Sequence, residues 1–323
     1  MAGSQADWPI TTWDRAHAGE LAALVAAALP EEELSEDELL AVCWDDPGPD
    51  GVDARPDDGV VLALADGTGA AVGVLRSWGD PTAPHKIGYV KLLVVHPEAR
   101  RAGRGHALLD AVERWAWEHG ASELQLSGSA PFYLWPGVDA TATEMLCLAE
   151  ARGYRPFSSD VNMALPTTFR AEAPAGTTVR RVIDDADVAL VRALVETHWP
   201  EWWPETARAI EHGCCHGVFV ATSDGGAAGG VGGGTGDGSE RAIGFGCHSV
   251  NRAGWLGPMG TDPDARAGGV GQALLGQICR DLMIADFTHT EISWVGPVRF
   301  YAKSGATVSR VFRGYRLRRP TAI

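Results

Sequence analysis

The chain has 323 residues and a net charge of −15, with 45% hydrophobic and 21% charged residues. That length exceeds the ~100 to 200 residues usual for one domain, so two domains are expected. No uninterrupted run approaches the ~20 apolar residues of a membrane span, and the acidic balance repels polyanions, which argues against a membrane or a nucleic acid as partner.

In chain order, "PITTWD" reads as a strand, and "AGELAALVAAAL" as a helix because its apolar residues recur at helical spacing after a polar start. "LSEDELLAVCW" gives a second short helix. "GVVLALADGTGAAVGVLRSWG" holds two apolar runs around a glycine-containing turn, a hairpin pattern, and "KIGYVKLLVVHP" is another strand. After a short loop, "GHALLDAVERWAWEHGA" has helical periodicity and stops at a glycine, and "SELQLSG" is strand-like. "ATATEMLCLAEARGY" is a helix ending at Gly153, and "SSDVNMALP" is a closing strand. "TTFRAEAPAGTT" has the composition of a linker, so the expected domains are residues 1–168 and 177–323, joined by 169–176.

The second half restarts with strand "TTVRRVI", helix "DADVALVRALVETHW", hairpin strands "GVFVATSDG" and "RAIGFGCHSV", and strand "GWLGPMGT". Helix "GGVGQALLGQICRDLMIAD", strand "TEISWVG" and "PVRFYAKSGA" follow, so the halves share one order of elements. The glycine-dense "SDGGAAGGVGGGTGDGSE" fits no G-x-G-x-x-G spacing and leads into a strand, so it reads as a turn rather than a dinucleotide site. In "HGCCH", neighbouring Cys214 and Cys215 point to opposite faces of an extended chain, so a strand start is preferred and no metal is expected. The six cysteines lack metal or secreted-scaffold spacing, and "MAGSQADWPITTWD" has no basic region before an apolar stretch; reduced thiols and a cytoplasmic location are expected.

One pattern occurs twice. "HPEARRAGRGHALL" (96–109) and "DPDARAGGVGQALL" (262–275) each follow an apolar strand and open an apolar helix. They share Pro97, Arg100, Gly103 and Gly105 in the first copy with Pro263, Arg266, Gly269 and Gly271 in the second. Glycines at a strand-to-helix turn let backbone N–H groups approach an anion, and the helix N-terminus adds free donors and partial positive charge, a geometry suited to a pyrophosphate. Each loop is followed downstream by a Phe-Tyr pair.

With these motifs the sequence resembles the GNAT superfamily of acyl-CoA-dependent N-acyltransferases, whose R/Q-x-x-G-x-G/A loop holds the coenzyme A pyrophosphate, and its layout is similar to that of tandem members. The resemblance implies an α/β (α+β) fold: two tandem GNAT-like domains, each with a mixed, mostly antiparallel central sheet flanked by helices. It implies acetyl-CoA (coenzyme A) as cofactor, held by Arg100, Arg101, Gly103, Arg104 and Gly105 in the first copy and by Arg266, Gly268, Gly269, Val270 and Gly271 in the second. In the family a bulged strand before the loop pairs with the pantetheine arm; the matching positions are Leu93 and Val95, and Met259 and Thr261. Pro258 separately asks for a bulge, because proline cannot donate within a ladder.

"VRFYAKSGA" looks like the family segment whose Tyr protonates the departing thiolate, which assigns that role to Tyr301. "PFYLWPGVD" offers Tyr133 at nearly the same distance from its loop, but Trp135, Pro136 and Gly137 interrupt the expected helix, so the chemistry is expected in the second copy. Glu291 and His248 are alternative bases for the amine, with water as a relay. Trp199, Trp202 and Trp203 beside Glu201 and Glu205 suit either a small cationic amine or a domain interface. The expected function is acyl transfer from acetyl-CoA to a small-molecule amine by a monomer; the alternative is a non-catalytic acyl-CoA-binding protein.

Overall fold

The structure is a computed structural model and describes residues 8–48, 58–78, 85–222, 240–266 and 268–319. Most of the glycine-dense stretch, residues 223–239, lies outside the described residues. The first half runs β1 (Ile10–Thr12), α1 (Ala18–Ala28), α2 (Glu36–Cys43), β2 (Gly59–Leu64), β3 (Gly69–Trp78), β4 (His85–Val95) and α3 (Arg104–Glu118). It continues through β5 (Glu123–Leu126), a two-residue β6 (Val138–Asp139), α4 (Thr143–Ala151) and β7 (Arg155–Pro166). The second half repeats that order without the short strand: β8 (Thr177–Arg181), α5 (Asp185–His198), α6 (Trp203–Glu211), β9 (Cys215–Ala221), β10 (Glu240–His248), β11 (Trp255–Thr261), α7 (Val270–Ile284), β12 (His289–Ile292), α8 (Val298–Lys303) and β13 (Thr307–Arg318).

Local chemistry sets these bounds. Ser35 opens α2 by a capping box, its Oγ accepting from the Glu38 N–H at 3.2 Å while its own N–H donates to Glu38 Oε2 at 2.7 Å. Asp184 caps α5, and α4 and α8 each stop at a glycine of positive φ, Gly153 and Gly305. Along α3, Leu108, Leu109, Val112 and Ala116 recur on one face and are fully buried against the sheet. Helix α6 was not among the expected elements: Pro204 sits in its first turn, and its buried face carries Glu205 and Thr206.

The chain forms two compact units, residues 1–162 with 308–323, and residues 163–307. In the first, the sheet order is β1-β2-β3-β4-β5-β13-β7, with β6 also on β13. In the second it is β7-β12-β11-β10-β9-β8, the Met163–Pro166 end of β7 serving as its edge. β4 pairs with β5 and β11 with β12 in parallel, whereas β1-β2-β3-β4, β5-β13, β7-β12 and β11-β10-β9-β8 are antiparallel, so each sheet is mixed and mostly antiparallel, as expected. The division departs from the expected one. Residues 308–323 were assigned to the second domain, but Tyr315–Arg318 pair with Glu123–Leu126 of β5, and Arg310 bonds Glu32 at 2.7 Å and Asp139 at 2.8 Å. A strand's own pattern records its two faces and not its neighbours, so this exchange leaves no local sign in sequence.

Candidate active site

Each unit has one place where two parallel strands part. β4 pairs with β5 only from Ile87 to Val90, and β11 with β12 only at Trp255 and Leu256. At that point each strand also bulges: the β3–β4 register shifts across Lys91, and the β10–β11 register shifts across Gly257 and Pro258. Beyond the bulge the ladder phase fixes which peptide groups face the opening. His96 N–H donates to Thr68 O, so by alternation the peptide groups of Leu93 and Val95 point away from β3, toward the parted edge. Asp262 N–H donates to Ile243 O, which turns Met259 and Thr261 the same way.

The loops that follow are alike in backbone. Gly103 and Gly269 cap α3 and α7 in the left-handed conformation, φ 83° and 90°, which glycine adopts without the cost other residues bear. Their carbonyls accept from Ala107 and Ala273, leaving the N–H groups of the first three residues of each helix without intrahelical partners. The side chains differ. Arg100 braces its loop, donating to Val95 O at 3.1 Å and Ala28 O at 2.9 Å, whereas exposed Arg266 has no hydrogen bond or ion pair among the described residues. Arg101 is exposed with φ 62°, and Arg104 lies over the Trp8 ring at 3.8 Å and reaches Asp66. Gly268 is exposed, Val270 is buried in the core, and a Cβ on Gly271 would lie 2.7 Å from Phe300, against 3.5 Å from Leu148 for one on Gly105.

Tyr301 stands on α8, packed with Leu275 and Ile278 and edge-on to Phe300 at 4.9 Å; burial pushes its hydroxyl up to about 12. The first copy holds no counterpart. Ala306 N–H donates to Tyr301 O across Gly305, and Tyr154 N–H donates to Ala149 O across Gly153, so Ala149 occupies the Tyr301 position. Tyr133 precedes β6 in the long connection after β5 and is not on α4; its match to Tyr301 is corrected to Ala149. Equal distance along the chain misled because β6 and its connection lengthen the first copy there.

The bulges differ as well. Lys91 is buried, donates to Val42 O at 2.6 Å, and forms ion pairs with Asp46, which also holds Arg76. Burial alone would raise the Asp46 carboxyl, but the Lys91 and Arg76 charges outweigh it and hold it below its ordinary value. Gly257, at the matching bulge, has φ 138°, and a Cβ there would meet nothing within 4 Å. At this bulge the first copy has a buried ion cluster, and the second a glycine with open space beside it.

Strand alternation sorts the remaining candidates in the second unit. Phe245 and Cys247 face α5 and α6, where Trp199 stacks on Trp202 at 5.5 Å and lies within 2.7 Å of a Cβ built on Gly260. Buried Glu205 acts on Cys247 electrostatically and accepts from Asn251 Nδ2 at 3.1 Å. His248 faces the other way, toward α7, with Nε2 3.3 Å from Asp281 Oδ2. Glu291, half-buried on β12, alternates with Ile292, which packs against α7, and so shares the α5–α6 face. Trp203 carries Arg192 over its ring at 5.1 Å, and Glu201 is exposed.

Residues 20–133 match the profile of the acetyltransferase (GNAT) family. That match lies within the first copy. Among solved structures, the tandem GNAT protein from the clavulanic acid biosynthesis pathway aligns over 98% of this chain and 100% of its own, at 14% identity and TM-score 0.67. A GCN5-related N-acetyltransferase from Sphaerobacter thermophilus covers 98% of this chain and 97% of its own, at 21% identity and TM-score 0.62. The glucosamine N-acetyltransferase region of a fungal multi-domain GH3 beta-N-acetylglucosaminidase aligns at 15% identity and TM-score 0.69 over 98% of this chain, which spans 39% of that protein. These likenesses extend the tandem GNAT fold over both copies. No curated protein matches the sequence. No helix among the described residues is long and apolar enough to cross a membrane.

Proposed function

We propose that the chain is an acyl-CoA-dependent N-acyltransferase, with acetyl-CoA as donor, a small-molecule amine as acceptor, and chemistry in the second copy. The observation that carries this reading is Gly257, a bulge residue with open space beside it at the point where β11 and β12 part. Acetyl-CoA, when bound, supplies the activated acyl carbonyl. The N–H groups at the start of α7 that lack intrahelical partners, and Arg266, which has no partner among the described residues, suit its pyrophosphate, and the outward peptide groups of Met259 and Thr261 suit its pantetheine arm. The Met259 N–H stabilises negative charge on the carbonyl oxygen as the amine attacks. Glu291, directly or through water, takes a proton from the amine; as the C–N bond forms and the C–S bond breaks, the Tyr301 hydroxyl gives its proton to the leaving sulfur. Trp199 and Glu205 on the α5–α6 face form an aromatic and acidic wall for a small cationic acceptor.

For the first copy a second reading is favoured by Ala149 and by the buried Lys91 cluster: it holds acyl-CoA, or nothing, without turnover. The reading also takes the protein to be cytoplasmic and monomeric; a light-scattering mass of two chains would overturn the latter. Native mass spectrometry with acetyl-CoA tests the whole, using Gly271→Glu and Gly105→Glu. Loss of cofactor and of acyl transfer in Gly271→Glu, with transfer kept in Gly105→Glu, is the expected result. Absence of bound acetyl-CoA in the unaltered chain would remove the acyltransferase reading.

A further inference from the structure

The second unit holds a cluster that acyl transfer does not use. His216 on β9, His248 on β10 and Asp281 on α7 bring Nε2, Nε2 and a carboxylate oxygen within 4.8 Å of one another. His216 Nε2 lies 2.8 Å and His248 Nε2 3.3 Å from Asp281 Oδ2, and Arg181 Nη2 lies 2.6 Å from the same oxygen. Three donors on one oxygen is a poor way to share a carboxylate whose Oδ1 has no partner among the described residues.

We propose that His216, His248 and Asp281 form a divalent transition-metal site, suited to Zn2+, independent of the acyl-transfer reading. Imidazole nitrogens and a carboxylate are the donors Zn2+ takes, with ligand atoms roughly 3.3 Å apart in a tetrahedron. His248 Nε2 stands at 3.3 Å from Asp281 Oδ2 and His216 Nε2 closer, at 2.8 Å. His248 Nδ1 is 3.1 Å from Ser249 Oγ, so an Nδ1–H donated there leaves the Nε2 lone pair for a metal, the usual outer support of a ligating histidine. His216 is 5% exposed and its Nδ1 has no partner among the described residues, so Nε2 carries the ring's polar contact there. Asp281, 15% exposed at its side chain, leaves a solvent-side position for water. Arg181, on a 40% exposed side chain, also donates from Nη1 to Gly213 O and so keeps its charge beside Asp281; that positive charge weakens cation binding, which sets the expected affinity in the micromolar range rather than tighter. The cluster lies about 16 Å along α7 from its N-terminus, so a metal there ties β9 and β10 to α7, away from the loop suited to the pyrophosphate.

The test is equilibrium dialysis of the chelator-treated full chain against Zn2+ and, separately, Co2+, with elemental analysis and visible spectra. One ion per chain and the visible bands of tetrahedral Co2+ are expected. His248→Gln and Asp281→Asn should each weaken binding at least tenfold, and Arg181→Met should tighten it. Absence of bands in the unaltered protein overturns the proposal without relying on any variant. It is equally overturned by uptake that survives both ligand substitutions, by uptake that is lost instead in Cys214→Ala, or by weaker binding in Arg181→Met.

Discussion

Lys91 and Gly257 occupy the same bulge in the two copies, one buried in an ion cluster and the other beside open space. The contrast separates a closed centre from an accessible one more sharply than the loops do, since both loops keep their glycine caps. Gly257 also has a φ of 138°, which L side chains rarely adopt. Gly257→Ala is therefore expected to cost about 1–3 kcal/mol of stability and to lower kcat/KM for acyl transfer at least tenfold. Urea unfolding and steady-state kinetics check the two parts separately.

Tyr301→Phe should leave acetyl-CoA affinity within twofold and reduce kcat by about 10²- to 10⁴-fold. Isothermal titration and single-turnover assays read the difference; an unchanged kcat would remove Tyr301 as proton donor. Burial raises the Tyr301 hydroxyl from its usual value near 10 to about 12, so the folded state disfavours the phenolate. The stability this group contributes is complete below pH 10 and lost as the pH rises through about 12. Tyr301→Phe lacks that alkaline loss, so the unfolding midpoints of the two proteins should draw together across this window.

Asp46 balances two buried cations in the first unit. Asp46→Ala leaves Lys91 and Arg76 without their shared anion, and a loss of about 3–5 kcal/mol is expected. Lys91→Met keeps the Asp46–Arg76 pair and should cost less. Because the cations hold the Asp46 carboxyl below its ordinary value, its contribution is present above that value and fades as the pH falls below it; acid titration of unfolding, with and without Asp46, checks this.

Gly271→Ala places a Cβ 2.7 Å from the Phe300 ring, and Phe300 is the neighbour on which Tyr301 packs. A destabilisation of about 1–3 kcal/mol with slower acyl transfer is expected, whereas Gly105→Ala, at 3.5 Å from Leu148, should stay within about 0.5 kcal/mol. Thermal melts of the two variants side by side decide the matter.

Arg310 joins β13 to Glu32 and Asp139. Arg310→Ala leaves both carboxylates without this partner, and about 1–3 kcal/mol should be lost from the first unit. Hydrogen exchange should rise in β5 and α4 and stay unchanged in β10 and β11.

The tandem order was legible because each element carries its own signal: the apolar spacing of α1 after a polar start, the glycine-containing turn between β2 and β3, the Gly153 stop, and the proline that asks for a bulge at Pro258. What failed depends on partners far away in sequence. Ala149 matches Tyr301 only once the hydrogen bonds across the two helix-ending glycines are compared. Lys91 sits in an apolar strand pattern, and nothing local says that Asp46 and Arg76 meet it. His216, His248 and Asp281 come from three elements with no regular spacing, and the "HGCCH" stretch, read as a strand start, names neither companion of His216.

The place of β13 bears on synthesis. Every residue of β8 through β12 leaves the ribosome before the strand that β5 requires, so the first unit spends that interval with a β5 edge unpaired. An open strand edge is a template for pairing with other chains, and the waiting half is the one exposed to it. Nascent chains stalled before Thr307 should therefore need chaperones that the finished protein does not.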